Sequence, residues 1–334
     1  MIETKGHFGA LLFTGEVNGD NMNYYVKKLI SFVITLLCVA ILSFLLFQIV
    51  PGDAALSKLG TDATPEKIEQ LRAEYGYDRN VFARFFSWLG GVFIGDLGVS
   101  IKYGPITVSE LIGQRITVTI WLGLLSIILI VVFSIPLGLL CAKRPGGIVD
   151  TVSDWIAQIF MAIPSFVQGI LVTLLFGIIL SWFVPGKYVS PTENFSEFLG
   201  CMFFPALSVA LPKIAMTVRF MKTSVKKELI KDYVRTAKAK GCSRNMIMWK
   251  HVLKNSMLPV ITFIGLIVAE VMAGSIMIEK VFNLPGLGLL LVNSISNRDY
   301  NVVQAIVMYI ALLVITVNFV VDIIYKVLDP RTAE

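Results

Sequence analysis

Few residues in this 334-residue chain have the type and spacing that chemistry needs. Histidine is limited to His7 and His251, which argues against a metal site or a histidine-based active site. The four cysteines, Cys38, Cys141, Cys201 and Cys242, are scattered, and neither a disulfide framework nor metal-ligand spacing follows from them. Ser275, after Gly274, stands where an intramembrane nucleophile would, but neither histidine lies in an apolar run to act as its base. Asp96, within Gly95-Asp-Leu-Gly98, has no second acid or base beside it in sequence. The sequence contains no Gly-x-x-x-x-Gly-Lys-Ser/Thr phosphate loop, so the chain does not bind ATP in the usual way. These residues predict no catalytic group, no metal and no cofactor held by this chain.

What the sequence does concentrate is positive charge. Arg219 to Pro259 holds eleven basic residues against two acids, Glu228 and Asp232, with long apolar runs on either side. Lys231-Asp-Tyr-Val-Arg-Thr-Ala-Lys-Ala-Lys240 reads as a helix, and Gly241 sits where a left-handed C-terminal cap belongs. Ser243 is placed to cap a second helix, in which Met246, Trp249, Leu253 and Met257 share one face before Pro259 opens the next apolar run. The spacing predicts two short helices hinged at a glycine, basic outside and greasy along one stripe, forming a plug for a groove on a partner. Charge alone favours a plainer reading, a loop lying on anionic lipid. The Ala–Gly pattern and the apolar stripe favour the plug.

Two further charges lie inside apolar runs. Lys213 falls about 15 Å into one run, and Glu270 about 16 Å into the next from the opposite face, at 1.5 Å per residue. Both reach the middle of a hydrocarbon core about 30 Å thick. An unpaired charge there is costly, so the two are predicted to meet near Pro212. The alternative is that Lys213 snorkels while a protonated Glu270 faces a wet cavity.

The elements that carry these groups are membrane spans. The chain is 56% hydrophobic and 16% charged, with a mean hydropathy of +0.76, too apolar for a soluble domain of this size. Net charge is +6 with the basic excess between spans, which leaves no free surface for nucleic acid. Six runs are expected to cross: Leu29–Val50, Ile116–Ala142, Trp155–Trp182 (kinked at Pro164, its freed carbonyl satisfied by neighbouring helices), Met202–Met221, Pro259–Ile278 and Val302–Leu328. Residues 1–21 read as a loose cytoplasmic tail or an upstream start, not a signal peptide. Lys27, Lys28 and the turn Lys143-Arg-Pro-Gly-Gly147 mark the inner side, so both termini are expected inside. Residues 22–115 hold the first span and a long external loop; there Thr64-Pro65-Glu66 starts a helix with Ile68, Leu71 and Tyr75 on one face and Gly76 at its stop. A second amphipathic piece carries Val81, Phe85, Trp88, Leu89 and Val92, and Gly95-Asp-Leu-Gly98 reads as a glycine turn re-entering the membrane. Residues 116–328 make a five-helix core that includes the basic loop 222–258, and 329–334 are a cytoplasmic tail.

Several stretches together resemble one family. Arg235-Thr-Ala-Lys-Ala-Lys-Gly241 is similar to the cytoplasmic "EAA" loop of permease subunits from ABC importers, with Arg235 and Thr236 replacing its Glu and first Ala, and Lys254 standing where many such loops have proline. Pro51-Gly-Asp53, Gly95-Asp-Leu-Gly98 with Ser100, Glu279-Lys-Val-Phe-Asn-Leu-Pro-Gly-Leu-Gly288 and the tail Leu328-Asp-Pro-Arg331 resemble the first permease of dipeptide, oligopeptide and nickel importers. The resemblance covers Tyr24 to Arg331. It implies an all-α fold of six transmembrane helices with a type I importer (MetI-like) core, in a prokaryotic cytoplasmic membrane. It implies a second homologous permease, giving a heterodimer, two ATPase subunits that carry the ATP, an external solute-binding protein, and a cargo of peptide, or of nickel or a related small solute. It assigns Tyr233, Arg235, Thr236, Ala237, Ala239, Gly241, Met246 and Leu253 to the loop that couples to the ATPase. Glu279, Phe282, Pro285, Gly286 and Gly288 fall to an external elbow, and the pathway is expected from the third to fifth spans. There the depth of Lys213 and Glu270, not the resemblance, makes them an intramembrane pair or pathway residues. Ala237, Ala239 and Gly241 are small enough for close approach to that partner. A secondary transporter would bind a driving ion at the midplane and work without ATP, and Glu270 is the one deeply placed acid to offer it. An intramembrane hydrolase would make Ser275 reactive.

Overall fold

Backbone groups in hydrocarbon are satisfied within helices, and the apolar runs fold accordingly. The structure is a computed structural model and describes residues 19–49, 64, 66, 69, 80–104 and 106–328. α1 spans Gly19–Ile49, α2 Val81–Ile94, α3 Val108–Lys143, α4 Ile148–Ala162 and α5 Ser165–Ile179, with wider π-type hydrogen bonding from Thr173. α6 covers Phe195–Leu229, α7 Asp232–Ala239, α8 Arg244–Phe282 with π-type bonding over Ile247–Val252, α9 Leu287–Ser296 and α10 Tyr300–Leu328. Among the described residues, α1, α3, α6, α8 and α10 are long and apolar enough to cross a membrane, and α4 with α5 makes a sixth crossing when the bent pair is taken as one span.

That pair is broken, not merely kinked. α4 and α5 meet at 105°, with Ile163 extended (φ −91°, ψ 125°) and Pro164 opening α5. Proline lacks an N–H and forces its predecessor out of the helical conformation. The expectation that neighbouring helices satisfy the freed carbonyls is also corrected. Buried Gln168, one turn on, donates from Nε2 to the carbonyls of Phe160 and Ile163 at 2.6 and 2.8 Å. Pro136, Pro205, Pro212 and Pro259, in contrast, stand inside helices that continue past them.

The centre is α3 against α6 and α8, packed through Leu122, Ile130, Phe198, Met202, Val271 and Ile278. At one end Val234 and Ala237 of α7 join Leu139, Met221, Val225 and Val252. At the other, Val108 and Leu111 of α3 meet Leu287 and Leu290 of α9 and Val302 and Ile306 of α10. α1 is peripheral: it touches α10 through Lys28–Asp322 at 2.5 Å and an edge-on Phe32–Phe319 pair. α2 leans on α1, with Phe85 and Trp88 against Phe44, while Val81 is exposed.

Helix ends depart from the apolar boundaries. α3 begins at Val108, capped by Thr107 Oγ1 on the Glu110 N–H, not at Ile116. α6 continues to Leu229 and α8 starts at Arg244 and runs to Phe282, so Pro259 lies inside a helix and much of the basic loop extends the spans. α1 starts at Gly19, inside the expected tail. Apolarity marks where a helix meets lipid, whereas hydrogen bonding and caps decide where it stops. The turn at Gly95 and Gly98 (both φ +80°) becomes a narrow hairpin clamped to the start of α10. Ser100 Oγ donates to Asp299 Oδ2 at 2.5 Å, and Asn301 Nδ2 to the Val99 carbonyl at 2.9 Å. Pro51-Gly-Asp53, most of the helix expected from Thr64, and the Asp329-Pro-Arg331 tail lie outside the described residues.

Candidate functional site

The basic loop condenses to a helix and a turn. α7 buries Val234 and Ala237 and exposes Arg235, Thr236, Lys238 and Ala239. It is rooted by Glu228 at the end of α6, which accepts from Tyr233 Oη at 2.8 Å and pairs with Lys231 Nζ at 2.5 Å. Burial pushes the Tyr233 phenol above its ordinary value, so it stays protonated as that donor. The helix ends with the Gly241 N–H on the Lys238 carbonyl (3.0 Å) and the Cys242 N–H on that of Ala237 (3.2 Å), the bonding of a Schellman turn. Gly241 has φ +79°, and no heavy atom lies within 4 Å of where a Cβ would sit, so its requirement is conformational and its surroundings are open. Ser243 Oγ accepts from the Met246 N–H, as its position predicts.

Two expectations for this region are corrected. Ala237 is not on the open face of α7; it packs on the chain's own core. Nor do Met246, Trp249, Leu253 and Met257 form one stripe: the first two are exposed, the last two half-buried. The π-type turn over Ile247–Val252 is the reason: its extra residue rotates Leu253 and Met257 out of register with Met246 and Trp249, while Ile247, Met248 and Val252 face inward. The short turn after α3 lies alongside, with the Arg244 guanidinium on the Lys143 carbonyl. Lys222 of α6 pairs with Asp150 and, at 2.8 Å, with Asp154 of α4. Helices α4, α6, α7 and α8 are thus braced together at the basic end.

The elbow at the other end is closed. Glu279 and Phe282 are the last turn of α8, not part of a loop, and Asn283 (φ 53°) ends the helix in the left-handed region. The fully buried carboxylate of Glu279 accepts from Thr119 Oγ1 (2.7 Å) and from the N–H groups of Gly288 (2.5 Å) and Leu289 (3.3 Å). Thr119 Oγ1 accepts in turn from the Leu287 N–H at 2.9 Å. A side chain on α8 therefore caps the first turn of α9, satisfying donors a helix start leaves free. A Cβ at Gly286 would collide with the Glu279 carboxylate, and one at Gly288 with the Ile276 backbone. Phe282 is buried against Phe183, and Pro285 follows in the short link to α9.

Lys213 of α6 and Glu270 of α8 are in ion-pair contact. The lysine side chain is 20% exposed and the glutamate 55%, on a face of α8 that also exposes Leu266, Ala273 and Met277. Sequence reasoning missed the Lys222–Asp150–Asp154 brace and the Thr119 and Gln168 contacts. Gln168 carried a signal: an amide four residues after a proline, within a largely apolar run, has freed carbonyls within reach.

With this geometry in place, comparison with known proteins identifies the lineage. Residues 134–334 match the family described as "Binding-protein-dependent transport system inner membrane component", and residues 21–106 match its N-terminal membrane-component companion. The oligopeptide transport system permease protein AppB of Bacillus subtilis is 35% identical over 92% of this chain and 98% of its own length. The glutathione transport system permease protein GsiC of Pectobacterium atrosepticum is 35% identical with the same coverage. Among solved structures, the inward-facing MetNI methionine ABC transporter is similar, with a TM-score of 0.54 over 66% of this chain and 97% of that one. At 19% identity, that likeness speaks to the fold alone. The all-helical, multi-pass chain belongs to the family of inner-membrane components of binding-protein-dependent transport systems.

Proposed function

We propose that the chain is one of two permease subunits of an ATP-driven peptide importer, each supplying half of the pathway, and that it takes its mechanical input at the exposed face of α7 and the Gly241 turn. The observation that carries this reading is the double nature of α7. Its outer face is open and basic, while Val234 and Ala237 root it among α3, α6 and α8. A partner pushing on the outer face would move the helices beneath it, because packed cores transmit displacement instead of absorbing it. That partner is one of two separate ATPase subunits, and an external binding protein delivers the cargo. Relatives named for oligopeptide and glutathione transport favour a peptide over a nickel complex or another small solute. The basic end, with Lys143, Arg144 and the α6–α8 loop together, is the cytoplasmic one, and both termini lie on that side.

The test is reconstitution with a second permease, the ATPases and the binding protein in vesicles. Peptide uptake should require ATP. A cysteine replacing Glu193 should react with a membrane-impermeant thiol reagent from outside, and one replacing Lys240 only after the membrane is opened. Uptake that persists without ATP would point to a secondary transporter, and outside labelling at position 240 would rule out its ATPase contact.

A further inference from the structure

The Lys213–Glu270 pair differs from the other ion pairs among the described residues. Lys222 with Asp150 and Asp154 braces the basic end, Lys187–Glu197 ties an exposed loop to the first turn of α6, and Lys28–Asp322 ties the peripheral α1 to α10. Lys213–Glu270 lies about halfway through the span, by helical rise. The sides of α8 around it are closed: a Cβ on Gly123 of α3 would strike Met272 Sδ, and one on Gly265 would strike Val321 of α10. Only the face with Leu266, Glu270, Ala273 and Met277 stays open, and the glutamate projects from it 55% exposed. A carboxylate is costly against lipid tails, so this open face belongs to a water-filled or protein-lined passage.

A free-ended peptide carries one ammonium and one carboxylate. Crossing a low-dielectric constriction costs it the hydration of both unless each meets a counter-charge. We propose that Lys213 and Glu270 form an exchangeable ion pair, closed on itself in the empty pathway. When cargo passes, it opens, placing Lys213 against the peptide's α-carboxylate and Glu270 against its α-ammonium. Exchange among four charges leaves none uncompensated, and this adapts the site to peptide ends irrespective of side chains. The inference rests on reading the chain as a peptide permease and goes further, by assigning residues to the peptide's termini.

The experiment uses the complete transporter in vesicles and compares uptake of trialanine with that of its N-acetylated and C-amidated forms. Each ratio is normalised to wild type, so that the binding protein's own preference cancels. Glu270→Gln should lower the preference for the free amine about tenfold, and Lys213→Met the preference for the free carboxylate by a similar factor, the size of one lost charge-assisted hydrogen bond. The swapped variant Lys213→Glu/Glu270→Lys should recover most of both. A parallel measurement uses Ala273→Cys, with the four native cysteines changed to alanine, and asks whether an impermeant thiol reagent reaches position 273 during turnover. A reactive thiol at position 273 with unchanged ratios in all three variants overturns the exchange and leaves the pathway reading standing. An unreactive thiol there removes this face from the pathway, and the proposal falls with it.

Discussion

The two ends of α8 carry the chain's two most recognisable glycine motifs, and they work in opposite ways. At the basic end, Gly241 occupies a left-handed turn with open space around it, beside the exposed Arg235, Thr236 and Ala239. At the elbow, Gly286 and Gly288 are hemmed in by the buried Glu279 and by the α8 backbone. A glycine of the first kind keeps an exposed surface in a fixed shape, which on the proposed function is offered to a partner. One of the second kind lets two parts of the same chain close on each other. Burial, not motif strength, tells the two apart.

This contrast is broken most severely at the elbow. Glu279→Ala leaves the Thr119 hydroxyl and the Gly288 and Leu289 N–H groups without their acceptor in a buried site. The expected loss is on the order of 3 kcal/mol or more. The purified protein should melt several degrees lower or fail to accumulate, with or without ATPase partners present. If its melting temperature is unchanged, the elbow is not held by this carboxylate.

A smaller effect on stability, and a larger one on function, is expected at the open end. Gly241→Val forces a β-branched residue into the left-handed region at a cost of about 1–2 kcal/mol, confined to the turn. The spans should still insert and the elbow should be unaffected, while substrate-stimulated ATP hydrolysis in the assembled transporter falls. Full stimulation in this variant would remove the turn from the mechanism.

How far the sequence disclosed this arrangement depended on whether the cause was local. The Gly241 cap, the Ser243 cap and the proline break at Pro164 are set by nearest neighbours, and the structure has each at the position its residues indicate. The contact of Lys213 with Glu270 followed from a cost that only pairing or water relieves. The inward turn of Ala237 and the divided stripe of Met246 and Leu253 were not legible. Ala237 turns inward through the packing of α7 on α3, α6 and α8, and a π-type turn leaves no signature in apolar spacing yet shifts every face after it. Thr119 with Glu279, 160 residues apart, became visible only when α3 and α8 were packed together.

The central claim is that α7 presents one face to an ATPase and the other to its own core. Cysteine cross-linking in the assembled transporter tests it most directly, with Ala239→Cys and Ala237→Cys compared in a background without native cysteines. Ala239 is exposed and Ala237 buried, two positions apart on the same short helix. The account predicts that a short thiol-to-amine reagent joins position 239 to an ATPase subunit, with a yield that changes when ATP is added, and that position 237 gives no such product. Equal cross-linking from both positions, or none from 239, would contradict it.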